Sequence, residues 1–244
     1  MAPRILRESI GSTQAHALAE LRGGAPAGTR VVARRQSRGV GRLDHTWASP
    51  PGGLYLSTIV AAPAPGLALF PLAVGAELAQ SLATRHGVHT LLRWPNDLLV
   101  VHDRRPRKLA GILCDAVAAP WGPAVVVGVG LNVSTSPNDF PLDLRRSVVS
   151  LADLTRPVPS LEETEADVVG AIDRAARGLR SEPGRQRLLR LCRESLYGLG
   201  RRALVDGRPA GVIRGIDDDG ALLVVEGHAR SAVHAGSLLV EEAA

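Results

Sequence analysis

A single lysine stands out among the residues that could do chemistry. The chain has 244 residues, of which 29 are Lys or Arg, and only Lys108 is a lysine. A chain that uses arginine for every other cation keeps a lysine where a compact ammonium cannot be replaced by a planar guanidinium. One lysine could also remain by chance, but we treat Lys108 as a candidate catalytic residue.

A glycine-punctuated segment runs from Gln36 to Trp47, with the sequence QSRGVGRLDHTW, after a predicted strand over 28–36. Glycines allow backbone N–H groups to close on an anion, and Arg42 adds a guanidinium for a phosphate or carboxylate. The segment is not a P-loop, because no Gly-Lys-Ser/Thr ends it. Taken alone, it fits a structural turn as well as a ligand loop.

Two further motifs contain polar residues at the start of predicted strands. In Arg93–Asp97, with the sequence RWPND, proline keeps the chain extended and the last two residues present polar groups at the head of a strand. The alternative is an ordinary turn in which these side chains bond to their own backbone. In KLAGIL, alternation predicts that Lys108 and Ala110 share a face, and Gly111 would allow a ligand to approach closely.

The segment Gly128–Asn132, with the sequence GVGLN, lies at the end of an apolar run over 123–133. It lacks the third glycine of a dinucleotide-binding fingerprint, and no helical pattern follows it. The run therefore predicts a strand buried on both faces, whose small residues either permit tight packing or form the wall of a ligand site.

The elements that position these motifs predict a mixed α/β fold. Strands are expected over 54–61, 90–94, 98–102 and 109–117, the last two forming a hairpin around DRRPRK, and helices over 67–85, 160–179 and 183–196. From Gly198 onward, short strands broken by turns predict a small β-barrel. Residues 197–244 hold five Arg against seven acidic residues, unlike the basic remainder. We therefore predict two domains, 1–196 and 197–244.

Composition narrows the class of protein. The net charge is +5 with a pI near 10.1, but arginine is spread along the chain, aromatics are only 3%, and no helix-turn-helix precedes the first strand. A dedicated nucleic-acid partner is therefore not expected. The two cysteines lie in apolar runs, and neither a secretory signal nor a membrane-spanning stretch is visible. We expect a cytoplasmic protein with no membrane partner.

Together these motifs resemble those of biotin–protein ligases, the biotin–acetyl-CoA-carboxylase ligases. The resemblance covers nearly the whole chain, and the pairing of WPND with KLAGIL is its most specific part. The matching residues are Ser12-Thr13-Gln14, Gln36–Trp47, Ser49-Pro50, Gly53–Ser57, Trp94–Asp97, Lys108–Leu113, Gly128–Val133 and, in the terminal module, Gly211–Asp217 and Gly220–Leu222.

The resemblance implies a mixed α/β (α+β) catalytic domain like that of class II aminoacyl-tRNA synthetases, followed by a small SH3-like β-barrel. It implies that biotin is activated with ATP to biotinyl-5′-AMP and transferred to a lysine of a biotin carboxyl carrier protein. Mg²⁺ would be bound mainly through the phosphates, and the enzyme would be a monomer or homodimer of the type without an N-terminal DNA-binding domain. We also expect Ser37–Asp44 to fold over the adenylate and exclude water.

The same resemblance assigns roles by position. Lys108 and Arg42 would be catalytic. The expected biotin-binding residues are Ser12, Thr13, Gln14, Gln36, Val40, Gly41, Arg42, Lys108 and Gly111. The expected ATP-binding residues are Arg42, His45, Trp47, Asn96, Asp97, Lys108 and Asn132. Val40 and His45 stand where the family usually has arginines, and Arg93 stands where it has lysine, so phosphate contacts from the loop depend on Arg42.

The sequence leaves two alternatives open and excludes a third. A lipoate–protein ligase shares the adenylation chemistry, but it would not need the ureido-binding set of Ser12, Thr13, Gln14 and Gln36. A biotin-sensing DNA-binding repressor would need an N-terminal helix-turn-helix, whereas the pattern here begins at the catalytic domain. The carrier itself is excluded because its acceptor lysine normally lies between methionines, and the only methionine is Met1.

Overall fold

The computed structural model describes residues 2–63 and 66–241. Their strands form two sheets, and five α-helices accompany them. The larger sheet contains β1 (Arg4–Arg7), β2 (Arg30–Ala33), β3 (Gly53–Ala61), β4 (Leu91–Arg93), β5 (Asp97–His102), β6 (Arg105–Ala119) and β7 (Gly122–Asn132). The helices are α1 (Thr13–Arg22), α2 (Phe70–His86), α3 (Leu151–Leu154), α4 (Leu161–Gly178) and α5 (Glu182–Glu194).

The larger sheet has the strand order β1-β2-β3-β7-β6-β5-β4. Only β1 and β2 pair in parallel, and the other neighbours are antiparallel. Helices α2, α4 and α5 contribute to the main hydrophobic core, whereas α1 buries Ala17 and Leu21 in a second cluster. The sheet is thus covered by helices on both faces, as its apolar central strands require.

The side chains of β7 alternate between the two faces of the sheet. Val125, Val127, Val129 and Leu131 belong to the main core, whereas Ala124 and Val126 pack in the cluster with α1. Side chains alternate along a strand, so the next positions on the α1 face are Gly128 and Gly130. Because neither has a side chain, this face of the sheet is open beyond the N-terminus of α1.

The second sheet contains β8 (Arg202–Val205), β9 (Arg208–Ile216), β10 (Leu222–Glu226), β11 (Ala229–Val233) and β12 (Leu238–Val240). Its order is β11-β10-β9-β8-β12, with antiparallel neighbours throughout. This sheet is consistent with the predicted SH3-like module. The main core extends into it, for example to Ile213 and Leu222. We retain 1–196 and 197–244 as a proposed division, since the second sheet begins after that point.

The mixed α/β class and most predicted elements are confirmed. The helix predicted from residue 67 begins at Phe70, because 67–69 form a turn and Pro71 suits the first helical turn, where no backbone N–H is required. In the terminal module, β11 and β12 are separated by a break at 234–237. Helix α1 was not predicted, because its buried positions include the polar Thr13 and Gln14.

Among the helices of the described residues, none is long and apolar enough to cross a membrane.

Candidate functional site

A cavity of about 240 Å³ lies on the open face of the large sheet. Its floor includes Gly111 of β6 and Gly130 of β7, which pair directly across the two strands. The indole of Trp47 lies over both, since a Cβ on Gly111 would come within 2.8 Å of the ring and a Cβ on Gly130 would collide with it. These glycines therefore line the cavity and also allow the Trp47 indole to pack closely on the two strands.

The cavity brings together nearly all the residues singled out by the sequence. Those that line it are Ser12, Thr13, Gln14, Gln36, Val40, Gly41, Arg42, His45, Trp47, Asn96, Asp97, Lys108 and Gly111. Asn132 is the exception: it does not line the cavity and is almost completely buried behind it. Ser237 and Leu238 of the second sheet complete the wall.

Lys108 reaches the cavity because β6 contains a bulge. Leu98 of β5 pairs with Ala110 and Leu99 pairs with Lys108, which leaves Leu109 as the extra residue. Leu109 and Ala110 are both buried in the main core, and Gly111 faces the Lys108 side chain. The prediction that Lys108 and Ala110 share a face is therefore wrong: the bulge replaces strict alternation, so that Lys108 and Gly111 share it.

A charged cluster surrounds this lysine. The ammonium nitrogen of Lys108 lies 2.8 Å from Oδ1 of Asp97 and 4.8 Å from the centre of the Trp47 ring. The other carboxylate oxygen of Asp97 pairs with the guanidinium of Arg93. Asp97 thus holds two cations at one side of the cavity, and the indole adds a cation–π contact to one of them.

The other polar side of the cavity is built from uncharged groups at the start of α1. Ser12 caps the helix by accepting from the backbone N–H of Ala15. The backbone N–H of Thr13 donates to Oε1 of Gln36 over 2.8 Å, and Nε2 of Gln36 donates to the hydroxyl of Ser49 over 2.8 Å. The helix N-terminus and the loop are thereby joined by side-chain hydrogen bonds.

Gln14 lies deeper, where α1 meets the floor. Its Nε2 donates to Oδ2 of Asp115 over 2.9 Å and to the carbonyl of Val126 over 3.0 Å, and its Oε1 accepts from Ser57 over 2.9 Å. Gly128 permits this placement, because a Cβ there would lie 2.5 Å from Gln14 Oε1.

The loop over 36–47 closes the cavity from above. The backbone N–H of Gly41 donates to the carbonyl of His45 over 2.7 Å, and that of Trp47 donates to the carbonyl of Gly39 over 2.9 Å. Arg42 leaves this turn and donates to the carbonyl of Gly236 over 3.2 Å. Burial lowers the pKa of the Arg42 guanidinium, while the carboxylates of Asp97 and Asp206 act in the opposite direction.

The two asparagines hold backbone. Nδ2 of Asn96 donates to the carbonyl of Ile112 over 2.8 Å. Nδ2 of Asn132 donates to the carbonyls of Lys108 and Val149, over 3.3 and 3.1 Å. Oδ1 of Asn132 and Nε1 of Trp47 are buried without a hydrogen-bond partner among the described residues. Buried polar atoms are normally paired, so these two atoms are exceptions within the site.

The residues around the cavity do not form a metal site of their own. Among the described side chains, which do not include that of Asp44, no group of three or more His, Cys, Asp or Glu could hold a metal ion. Asp97 is a carboxylate of the cavity wall, and it is engaged by Lys108 and Arg93. A magnesium ion that keeps most of its ligands from water and phosphate remains compatible with this arrangement.

Three residues that hydrogen-bond to Gln14 or Gln36 had no role assigned from the sequence: Ser49, Ser57 and Asp115. The two serines were among the residues that carry the family resemblance, but nothing in their spacing indicated contacts with Gln36 or Gln14. Asp115 was hidden inside the apolar run of β6. The available signal was the presence of a carboxylate in a strand that is otherwise apolar from Leu109 to Val117.

Comparisons with known proteins identify relatives of this chain. The model of the biotin/lipoate A/B protein ligase family matches residues 7–132. The bifunctional ligase/repressor BirA of Bacillus subtilis is 31% identical over 229 residues, covering 90% of this chain and 68% of BirA. The biotin–[acetyl-CoA-carboxylase] ligase of Mycobacterium tuberculosis is 31% identical over 241 residues, covering 94% of this chain and 85% of that ligase.

Solved structures show the same fold. The biotin protein ligase from Aquifex aeolicus in complex with biotin and ATP superposes with a TM-score of 0.83 at 22% identity, over 100% of both chains. The biotin acetyl coenzyme A carboxylase synthetase from Helicobacter pylori superposes with a TM-score of 0.65 at 18% identity, covering 95% of this chain and 100% of that one. With the family match and the two relatives, this likeness shows that the chain belongs to the biotin/lipoate A/B protein ligase family.

Proposed function

We propose that this protein is a biotin–protein ligase. A carboxylate oxygen of biotin attacks the α-phosphorus of ATP, the bond to the departing pyrophosphate breaks, and biotinyl-5′-AMP forms. The uncharged amine of a carrier lysine then attacks the carbonyl of this mixed anhydride. AMP leaves, the nitrogen loses a proton, and an amide bond to biotin remains.

The observation that carries the proposal is the division of one cavity into two chemically different sides. Thr13 and Gln36 supply uncharged hydrogen-bonding groups, whereas Lys108 and Arg42 supply cations. Biotin has a neutral ureido ring at one end and a carboxylate at the other, and ATP brings further negative charge to the carboxylate. A substrate pair of this kind uses both sides of the cavity at once.

Lys108 is proposed to stabilise the charge that accumulates between the carboxylate and the α-phosphate. Its ammonium is held beside Asp97, so an anionic substrate competes with that carboxylate for it. Arg42 reaches the cavity from the loop and adds a second cation. Cations fixed in a partly desolvated site act more strongly on a developing anion than they would in water.

For biotin we propose contacts from Ser12, Thr13, Gln36, Arg42, Lys108 and Gly111, with Val40 and Gly41 contributing through the loop backbone. Gln14 lines the same cavity, but its amide is fully engaged by Asp115, Val126 and Ser57. Its proposed role is therefore to shape the pocket. This refines the expectation that it binds biotin itself.

For ATP we propose that Trp47 supports the adenine and that Arg42, His45, Asn96, Asp97 and Lys108 surround the phosphates. Asn132 is proposed to act from behind, because its amide holds the backbone of Lys108. Asp97, a carboxylate of the cavity wall, would help to hold a Mg²⁺ ion bound mainly through the phosphates, and that ion would supply charge neutralisation there.

The first experiment distinguishes a biotin–protein ligase from the alternative, a lipoate–protein ligase. The purified protein is incubated with ATP, Mg²⁺ and either biotin or lipoate, and the acyl-adenylate is detected by mass spectrometry. We expect biotinyl-5′-AMP and pyrophosphate, with no lipoyl-adenylate. Adenylation of lipoate in place of biotin would overturn the proposal.

The acceptor is proposed to be a biotin carboxyl carrier protein. One supporting fact is that the relative from Mycobacterium tuberculosis is named as a biotin–[acetyl-CoA-carboxylase] ligase. Transfer is tested with a carrier domain and, as the matched control, the same domain with its acceptor lysine changed to arginine. We expect a mass increase corresponding to biotin on the first alone; adenylate formation without transfer would refute this acceptor.

A further inference from the structure

We propose that Asp115 is a positioning residue that sets the direction of the hydrogen bonds at the uncharged side of the cavity, so that Thr13 offers a lone pair to an N–H group of the substrate. The inference rests on the proposed function, because it concerns how the ureido group of biotin is recognised. It assigns a role to a carboxylate of β6 whose Oδ2 bonds the amide of Gln14.

The first step concerns the amide of Gln14, which is buried together with Ser57 and Val126, whereas Asp115 is partly buried. Its nitrogen lies 2.9 Å from Oδ2 of Asp115 and 3.0 Å from the carbonyl oxygen of Val126. An ionised carboxylate and a carbonyl can only accept hydrogen bonds. The amide nitrogen must therefore point towards them, and the amide oxygen must point towards Ser57.

The second step concerns two hydroxyl groups, each of which has one proton. Oγ of Ser57 lies 2.9 Å from Oε1 of Gln14 and 2.9 Å from Oγ1 of Thr13. Because the amide oxygen only accepts, the proton of Ser57 is directed to it. Thr13 then supplies the proton between the two hydroxyls, so its lone pairs are left for other partners.

The third step concerns what this leaves in the cavity. Oε1 of Gln36 already accepts from the Thr13 backbone, and it lies 3.1 Å from the Thr13 hydroxyl oxygen. Nε2 of Gln36 is committed to Ser49. Two acceptor oxygens therefore stand side by side at the cavity wall, and such a pair is stabilised by a donor placed between them. A cyclic urea provides N–H donors, whereas a dithiolane provides none.

Without the carboxylate of Asp115, the hydrogen bonds can run in the opposite direction. A rotated Gln14 amide would donate to Ser57, Ser57 would donate to Thr13, and Thr13 would donate to Gln36. The carbonyl of Val126 opposes this rotation, but it is then the only acceptor that does so. Thr13 would present less acceptor strength to the substrate, and the ability to recognise a ureido N–H would fall.

The test compares biotin with two analogues, each methylated at one ureido nitrogen. The ratio of kcat/KM for biotin to that for the less active analogue measures recognition of the N–H group. In Asp115→Ala we expect KM for biotin to rise about tenfold, the value of one net hydrogen bond. We expect the ratio to fall by at least about fivefold, with KM for ATP unchanged. Asp115→Asn, which can still accept from Gln14, should keep most of the ratio.

Two further variants make the result specific. Ser57→Ala interrupts the series of hydrogen bonds between Gln14 and Thr13 while leaving Asp115 and Gln14 in contact. It should lower the ratio as Asp115→Ala does, and it provides the test if Asp115→Ala folds poorly. Asp143→Ala removes an exposed carboxylate that does not line the cavity and should leave the ratio unchanged. An unchanged ratio in either Asp115→Ala or Ser57→Ala, or no discrimination by the wild type, would overturn the inference while biotin adenylation stood. Absence of biotin adenylation in the wild type would overturn both proposals.

Discussion

The ammonium nitrogen of Lys108 lies 2.8 Å from a carboxylate oxygen of Asp97, in a cavity whose two substrates are both proposed to be anionic. Asp97 heads β5, whereas Lys108 precedes the extra residue of β6, so the contact depends on the register set by the bulge. The pair keeps the lysine beside the floor formed by Gly111. It also means that a substrate must compete with Asp97 for the ammonium.

Replacement of Lys108 by arginine tests the importance of the compact cation. A guanidinium keeps the charge, but it is planar and longer, and it must fit between Asp97 and the Trp47 ring. We expect pyrophosphate release to slow by at least about tenfold, equivalent to about 1.4 kcal/mol in the barrier. The matched control is Arg107→Lys, one residue earlier on β6, where an arginine pairs with Asp103 instead. Wild-type rates in Lys108→Arg would remove the argument from the lone lysine.

The extent to which sequence anticipates structure differs between fold and site. Local sequence patterns predict much of the fold directly. They include the apolar runs of β3, β6 and β7 and the fixed spacing of the capping box of α4. Helix α1 was not predicted, because its buried residues include polar ones that line the cavity. The periodicity argument fails where burial is used for hydrogen bonding rather than for apolar packing.

The site shows the same division. Lys108 and the glycines could be selected from composition and motif, and the structure brings them together. The bulge at Leu109 could not be predicted, because Leu109 and Ala110 are both apolar and either could face the core. The contacts of Asp115 with Gln14 and of Arg42 with Gly236 join residues far apart in the chain. No local pattern encodes which remote partner a polar side chain will meet.

The glycine floor predicts a specific effect of added bulk. In Gly130→Ala the new methyl would collide with the Trp47 indole, so the ring must leave the floor. Because Trp47 is proposed to support the adenine, we expect KM for ATP to rise by about tenfold, consistent with the loss of one aromatic contact. Indole fluorescence of the free protein should also change. Gly170→Ala in α4 is the control, since only the end of a flexible arginine lies near that position; equal KM values in wild type and Gly130→Ala would argue against adenine at this ring.

The loop over 37–44 is expected to become protected when ligands bind. It makes few internal backbone bonds, and Arg42 connects it to the second sheet through one hydrogen bond. Local openings of such segments cost little free energy. Trypsin cleavage after Arg38 or Arg42 should therefore slow in the presence of biotin and ATP. Cleavage at Arg104, in the turn between β5 and β6, provides the internal control. Equal rates at all three sites with and without ligands would show that this loop does not fold over the adenylate.

The edge of the large sheet should respond to acid through Glu165. This carboxylate of α4 accepts two hydrogen bonds from Arg4 of β1, over 2.8 and 2.7 Å, and one from Arg30 of β2 over 3.0 Å. The hydrogen bonds from Arg4 lower the pKa of Glu165, although burial acts in the opposite direction. A carboxylate whose pKa is lower in the folded state stabilises the fold above its unfolded pKa, about 4.3 for glutamate, and this contribution is lost as pH falls through the folded value.

Glu165→Gln should therefore destabilise the protein at neutral pH and much less in acid. The two arginines are about one-third exposed. The expected loss at pH 7 is thus about 1–2 kcal/mol rather than the 3–5 kcal/mol typical of a fully buried pair. Urea unfolding from about pH 7 down to pH 3.5, a range that spans the glutamate reference value, measures the difference from wild type at each step. Asp173→Asn, an exposed carboxylate on the same helix, should show no such convergence. If the difference in unfolding free energy between Glu165→Gln and wild type stays constant across this range, the charge of Glu165 contributes nothing. Glu165 would then connect β1 and β2 to α4 by its shape and hydrogen bonds alone.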